Sequence, residues 1–124
     1  MPLMVVKSNN LREPFDRNKL REGILRACEK RPIPVDTIEK LVSEIEYEIQ
    51  DFVIEVQSKI IGEKVLEKLL KTDPVAYIRF ASVYRQFQDL DSFMKELNEL
   101  KHKFVPGDLR QEAARGQSKK TETD

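Results

Sequence analysis

The sequence predicts an α+β fold that is mainly α, a bundle of about four helices capped by a small three-stranded sheet, with an extra C-terminal helix and a disordered tail. Three observations point there. Apolar residues recur at helical spacing in long segments that open on capping residues. Three short β-favouring stretches lie outside those segments, each too short to build a sheet with its own core. From about Phe104 onward the apolar content drops away, so residues 1–103 read as one domain and 104–124 as a tail.

Residues Leu3 to Lys7 favour a strand, and Leu11 to Glu13 can return beside it as a hairpin. The turn between them falls on Asn9-Asn10, because asparagine tolerates positive φ better than any residue except glycine. Pro14 ends the return strand. Asp16 is placed to cap a helix from about Arg17 to Arg31, with Phe15 and Leu20 at the spacing of a hydrophobic staple and Leu20, Ile24, Ala27 and Cys28 facing inward. Asp36 and Glu39 have the spacing of a capping box for a second helix, whose buried stripe is Ile38, Leu41, Val42, Ile45 and Ile49. The alternating segment Phe52 to Val56 predicts the third strand.

Ser58 is expected to cap a third helix running to Lys71, with Val65, Leu66, Leu69 and Leu70 among its inward positions. Asp73-Pro74 combines an acidic cap with proline at the first helical position and starts a fourth helix reaching about Phe87. Asp91 opens a fifth, more polar helix with a narrow stripe of Phe93, Leu97 and Leu100. That stripe suggests a homo-oligomer, although such stripes also dock on their own core.

Composition excludes several functions. Lysine and arginine number 22, as do aspartate and glutamate, so no overall positive charge draws the chain to nucleic acid or an acidic membrane. Cys28 and His102 are single, which leaves no thiol set for a zinc site in this chain and no nucleophile with a base beside it. A glycine-rich phosphate loop is missing too, and an enzyme is the least expected reading. The sequence carries neither a membrane span nor a signal peptide, and the expected location is cytoplasmic.

The residues that stand out are cations near a helix start. Lys19 lies in the first turn after Asp16, where backbone N–H groups and the helix dipole favour an anion. Lys7 and Arg12, on the two hairpin strands, reach the same place if the hairpin folds over that helix. The same charges also fit an ordinary solvated surface, since 35% of the residues are charged.

The stretches Val5-Val6-Lys7, Arg12-Glu13-Pro14-Phe15-Asp16, Lys19-Leu20 and Ala27-Cys28-Glu29-Lys30-Arg31-Pro32 resemble the opening of the ATP-cone of NrdR-type regulators of ribonucleotide reductase genes. Val75-Ala76-Tyr77-Ile78-Arg79-Phe80-Ala81-Ser82-Val83-Tyr84-Arg85 resembles its closing helix, and Phe87 with Asp91-Ser92-Phe93 continues the likeness, which covers about residues 2 to 100. The resemblance implies the four-helix bundle with a three-stranded cap, binding ATP or dATP as a regulatory ligand beneath the hairpin. It places Val5 beside the adenine, Lys7 and Lys19 at phosphates, and Glu13 near base and sugar. Arg79, Tyr84 and Arg85 on the closing helix are further candidates. For the two arginines a salt bridge is an equal reading, and the aromatic spacing of Tyr77, Phe80 and Tyr84 also fits core.

Two departures stand out. The family's basic-Asp-Gly after the first lysine is Ser8-Asn9-Asn10 here, which removes one phosphate contact from expectation. Family members also carry an N-terminal four-cysteine zinc ribbon that recognises DNA, so DNA binding is expected only if such a ribbon is supplied outside this chain. The function implied is an adenine-nucleotide sensor for a negative regulator of transcription. A free-standing cone acting allosterically on an enzyme in trans and a ligand-free helical interaction protein are the alternatives.

Overall fold

The computed structural model describes residues 2–104. The tail predicted from residue 104 thus lies, beyond Phe104 itself, outside the described residues. The order of elements is β1 (Met4–Val6), β2 (Arg12–Pro14), α1 (Arg17–Ala27), α2 (Val35–Ile49), β3 (Glu55–Gln57), α3 (Ser58–Thr72), α4 (Pro74–Arg85) and α5 (Leu90–Phe104). The fold is therefore α+β and mainly α, as the sequence predicts. The chain divides into two compact units, Met1–Phe87 and a second from Gln88 onward, of which α5 is the described part. Among the described residues no helix is long and apolar enough to cross a membrane.

In the first unit β1 is the central strand, antiparallel to β2 and parallel to β3. Val5 pairs with Glu13 on one side and Val56 on the other. The hairpin turn closes through Asn10 N–H to the Lys7 carbonyl at 2.9 Å, with Asn10 in the left-handed region at φ 67° and the Asn9 side chain accepting from Leu11 N–H at 3.0 Å. Both asparagines thus do what the turn demands. Asp16 caps α1 as predicted, its Oδ1 accepting from the amides of Asn18 and Lys19. Asp73 caps α4 in the same way through Val75 and Ala76, with Pro74 at the first helical position.

Elsewhere the boundaries move, each for a local reason. Helix α1 ends at Ala27 rather than near Arg31, because residues after Cys28 turn and Lys30 adopts φ 62°. The capping box expected at Asp36 and Glu39 does not form; the cap of α2 is Pro34, with no side-chain hydrogen bond, and Glu39 instead pairs with Arg17 and Arg21 of α1. Strand β3 begins at Glu55, not Phe52. The chain is still turning at Phe52, whose N–H reaches the Ile49 carbonyl at 3.0 Å, and Val53 and Ile54 stay exposed. Ser58 is the first residue of α3 and not its cap, and α4 stops at Arg85 because Gln86 takes φ 50°. For α5 the capping carboxylate is Asp89, accepting from Ser92 N–H at 2.7 Å, and not Asp91.

The core forms where the predicted stripes meet. Ile24, Val42, Ile45, Ile49, Val56, Val65 and Leu69 are the largest fully buried side chains. Small residues on α4, Ala76 and Ala81, are fully buried as well and let that helix lie close to α1 and α3. Cys28 is a buried core thiol, and its pKa is pushed up first by burial and further by the charge of Asp73.

Candidate functional site

Strand register decides which hairpin side chains meet. Successive residues on a strand face opposite sides of a sheet. Val5 is buried, so its partners Glu13 and Val56 share the inner face, together with Lys7 two positions further on. Arg12 and Glu55 belong to the outer face and pair there, with Arg12 Nη2 and Nε both 2.9 Å from Glu55 Oε2.

Beneath the inner face lies a cleft of about 530 Å³, walled by the hairpin, α1, α3 and α4. Its size falls within the range of small-molecule and cofactor sites. The interior is mainly apolar, with Val5, Leu20, Ile61, Val65, Phe80 and Tyr84 among its lining. Ser8, Glu13, Asp16 and Lys19 from the hairpin and the start of α1, and Ser58 and Lys59 from the start of α3, add polar groups to the lining. An apolar slot with cations at its mouth suits a flat heterocycle carrying a charged chain.

Lys19 projects from the first turn of α1, and its Nζ lies 2.9 Å from Glu13 Oε1; Lys7 Nζ lies 3.4 Å from Glu13 Oε2. One carboxylate therefore holds two ammonium groups together at the mouth. The hydrogen bond from Lys19 lowers the Glu13 pKa, against a smaller opposing effect of burial, and the same bond raises that of Lys19. The amides of Asn18 and Lys19, expected to be open to an anion, are taken by Asp16. Anion attraction at this helix start accordingly rests on the lysine side chains.

The closing-helix candidates separate. The Tyr84 hydroxyl donates to the Lys59 carbonyl at 3.0 Å, and its ring meets Phe80 edge-on at 6.1 Å between centroids. Burial, with the nearby charge of Glu63, raises the Tyr84 pKa. Arg79 is not in the cleft; its Nη1 donates to the Glu29 carbonyl at 2.6 Å and the Ala27 carbonyl at 3.4 Å, closing the C-terminal end of α1. Arg85 pairs with Glu63 on α3 at 3.7 Å and does not line the cleft either. Val5, Lys7, Glu13, Lys19 and Tyr84 are thus gathered at or around the cleft, whereas Arg12, Arg79 and Arg85 are engaged elsewhere.

Sequence reasoning missed Ser58, Lys59 and Gly62. A signal for the first two existed, since Lys59 is a cation in the first turn of a helix, the same pattern that singles out Lys19. Among the described residues no cluster of three or more histidine, cysteine, aspartate and glutamate side chains could hold a metal ion.

The sequence model of the ATP cone domain matches residues 3–90, which contain every element that walls the cleft. The chain is 54% identical over 100 residues to the transcriptional repressor NrdR of Clostridioides difficile, covering 80% of this chain and 65% of that protein. It is 57% identical over 98 residues to the NrdR of Syntrophus aciditrophicus, covering 78% and 62%. Against the NrdR of Kosmotoga olearia the identity is 53% over 110 residues, covering 88% and 70%. The chain therefore spans about two thirds of the length of these relatives. Their names are those of regulators and not of enzymes. With a matched family model over most of its length and its cleft built wholly from the matched residues, the chain belongs to the ATP-cone family of adenine-nucleotide-binding regulatory domains.

Proposed function

We propose that this chain senses ATP or dATP in the cleft beneath the hairpin and serves as the regulatory module of an NrdR-like repressor of ribonucleotide reductase genes. The observation that carries this reading is the joining of an apolar slot lined by Lys19 to a second lysine, Lys7, that shares the Glu13 carboxylate with it. Val5 lies against the base, Tyr84 walls the slot, and the two lysines meet the phosphate chain. Glu13, which bridges the two lysines, yields them to phosphate and turns to the base and sugar. Arg12, Arg79 and Arg85 contribute only by exchanging their present partners. Recognition of promoter DNA is part of this reading only where a zinc ribbon outside this chain supplies it.

Nucleotide then changes the assembly of copies of the chain, with the α5 stripe of Phe93, Leu97 and Leu100 as the element proposed to respond. Calorimetric titration with ATP and dATP tests the reading. Saturable binding of at least one of them is expected, and absence of binding to both would overturn it. Light scattering without ligand and with each nucleotide tests the assembly step, for which a change of mass is expected and a single mass in all three states would contradict.

A further inference from the structure

Two glycines line the cleft, Gly23 on α1 and Gly62 on α3, and each faces an aromatic ring of α4. Neither has positive φ, so backbone freedom explains neither. Their surroundings differ. A methyl group at Gly23 would meet Phe80 Cε2 at 3.9 Å, an ordinary contact. At Gly62 it would fall 2.6 Å from Tyr84 Cζ and 2.9 Å from Cδ1, far inside the separation of about 3.5 Å at which carbons attract.

Glycine inside a helix is less favourable than alanine. Its presence at Gly62 is matched to the ring that fills the missing side chain's place. Lys59, whose carbonyl accepts the Tyr84 hydroxyl, stands three positions before Gly62 and so on the same face of α3. The notch and the hydrogen bond fix the ring from two sides, and Phe80 meets it edge-on from a third.

We propose that Gly62 is a positioning residue for nucleotide binding: the notch it leaves in α3 seats the Tyr84 ring as a wall of the cleft, and a side chain there would displace that ring and deform the slot for the base. This rests on the reading of the cleft as an adenine-nucleotide site. It makes a prediction about which part of the ligand is affected. The base is read through the ring on α4, while the phosphates meet Lys7 and Lys19 of the hairpin and α1, so only the base contribution depends on Gly62.

The test is a double-mutant cycle with Gly62→Ala, Tyr84→Leu and both together, titrated with ATP and with inorganic triphosphate, folding being checked by thermal melts. Gly62→Ala is expected to weaken ATP roughly tenfold, the scale of a lost aromatic contact. Affinity for triphosphate should not change. In the Tyr84→Leu background the added methyl should have no further effect, because the ring it displaces is gone. Additive losses, an equal loss for triphosphate, or unchanged ATP affinity in a folded Gly62→Ala protein would each overturn the proposal. Should that variant fail to fold, Tyr84→Phe removes the anchor to Lys59 without adding volume; weaker ATP binding supports the seat and equal binding contradicts it. A wild-type chain that takes up no ATP overturns the nucleotide reading and this one with it, whereas wild-type binding with an additive cycle overturns this one alone.

Discussion

Lys19 shows how one residue serves the fold and lines the cleft with different atoms. Its amide N–H is taken by the Asp16 cap, and its ammonium lies at the cleft mouth against Glu13. Lys19→Ala should therefore leave the fold intact and weaken ATP about ten- to a hundredfold, the range of a lost charge-assisted contact. Titration of the folded variant checks it, and an unchanged affinity would remove Lys19 from the site. The meeting of Lys7 with Lys19 was legible in the sequence from a hairpin folded over the helix start, whereas Val5 and Glu13 were named only through the family resemblance. The outward turn of Arg12 follows from strand alternation once register is known, but a hairpin's register is set by its turn, and Asn9-Asn10 permits more than one. Gly62 was not legible at all, because its meaning lies in a ring 22 residues away in sequence, Tyr84.

Among the elements, the junction of α1 with α4 holds a polar network around Asp73 and Arg79. Asp73 is 6% exposed, caps α4 through two amides and pairs with Arg31 Nε at 3.0 Å, while Arg79 returns from α4 to the end of α1. Burial pushes the Asp73 pKa up, but the Ala76 amide, Arg31 and the Val75 amide together outweigh it and hold the carboxyl below its ordinary value. A depressed folded-state pKa means that stability is present above the ordinary carboxylate value and is lost as pH falls through it toward the folded-state pKa. Thermal melts should thus show the melting temperature falling below about pH 4, and falling less for Asp73→Asn, which keeps the capping oxygen. An identical acid limb in both proteins would assign the effect to other carboxylates, such as Glu48 with its Lys68 partner. Asp73→Ala should cost about 1–3 kcal/mol at neutral pH, since both the cap and the partner of Arg31 are lost.

Helix starts such as Asp16 and Asp73 were legible because cap, spacing and stripe agree. Asp36 and Asp91 were misleading because local spacing alone carried them. Glu39 finds cations on α1, and Asp89, two residues earlier than Asp91, reaches Ser92. The start of β3 was obscured for a different reason. Phe52, Val53 and Ile54 have strand-like chemistry, yet the turn leaving α2 uses that segment, and only Val56 is buried.

At the scale of the molecule, stability and binding share one framework. Leu69 is fully buried on α3, which also forms a wall of the cleft, so Leu69→Ala should cost about 2–5 kcal/mol in denaturant unfolding. Bound nucleotide stabilises the folded state by mass action, by about 2.7 kcal/mol at a hundredfold excess over Kd, and should raise the melting temperature accordingly. Backbone amide NMR shifts under ATP titration test the proposed location of the nucleotide most directly. The predicted result is saturable change at Val5 to Glu13, around Lys19 at the start of α1, and at Lys59 to Gly62, with the exposed face of α2 around Tyr47 unaffected. Changes centred on that face of α2, or none anywhere at millimolar ATP, would contradict the account.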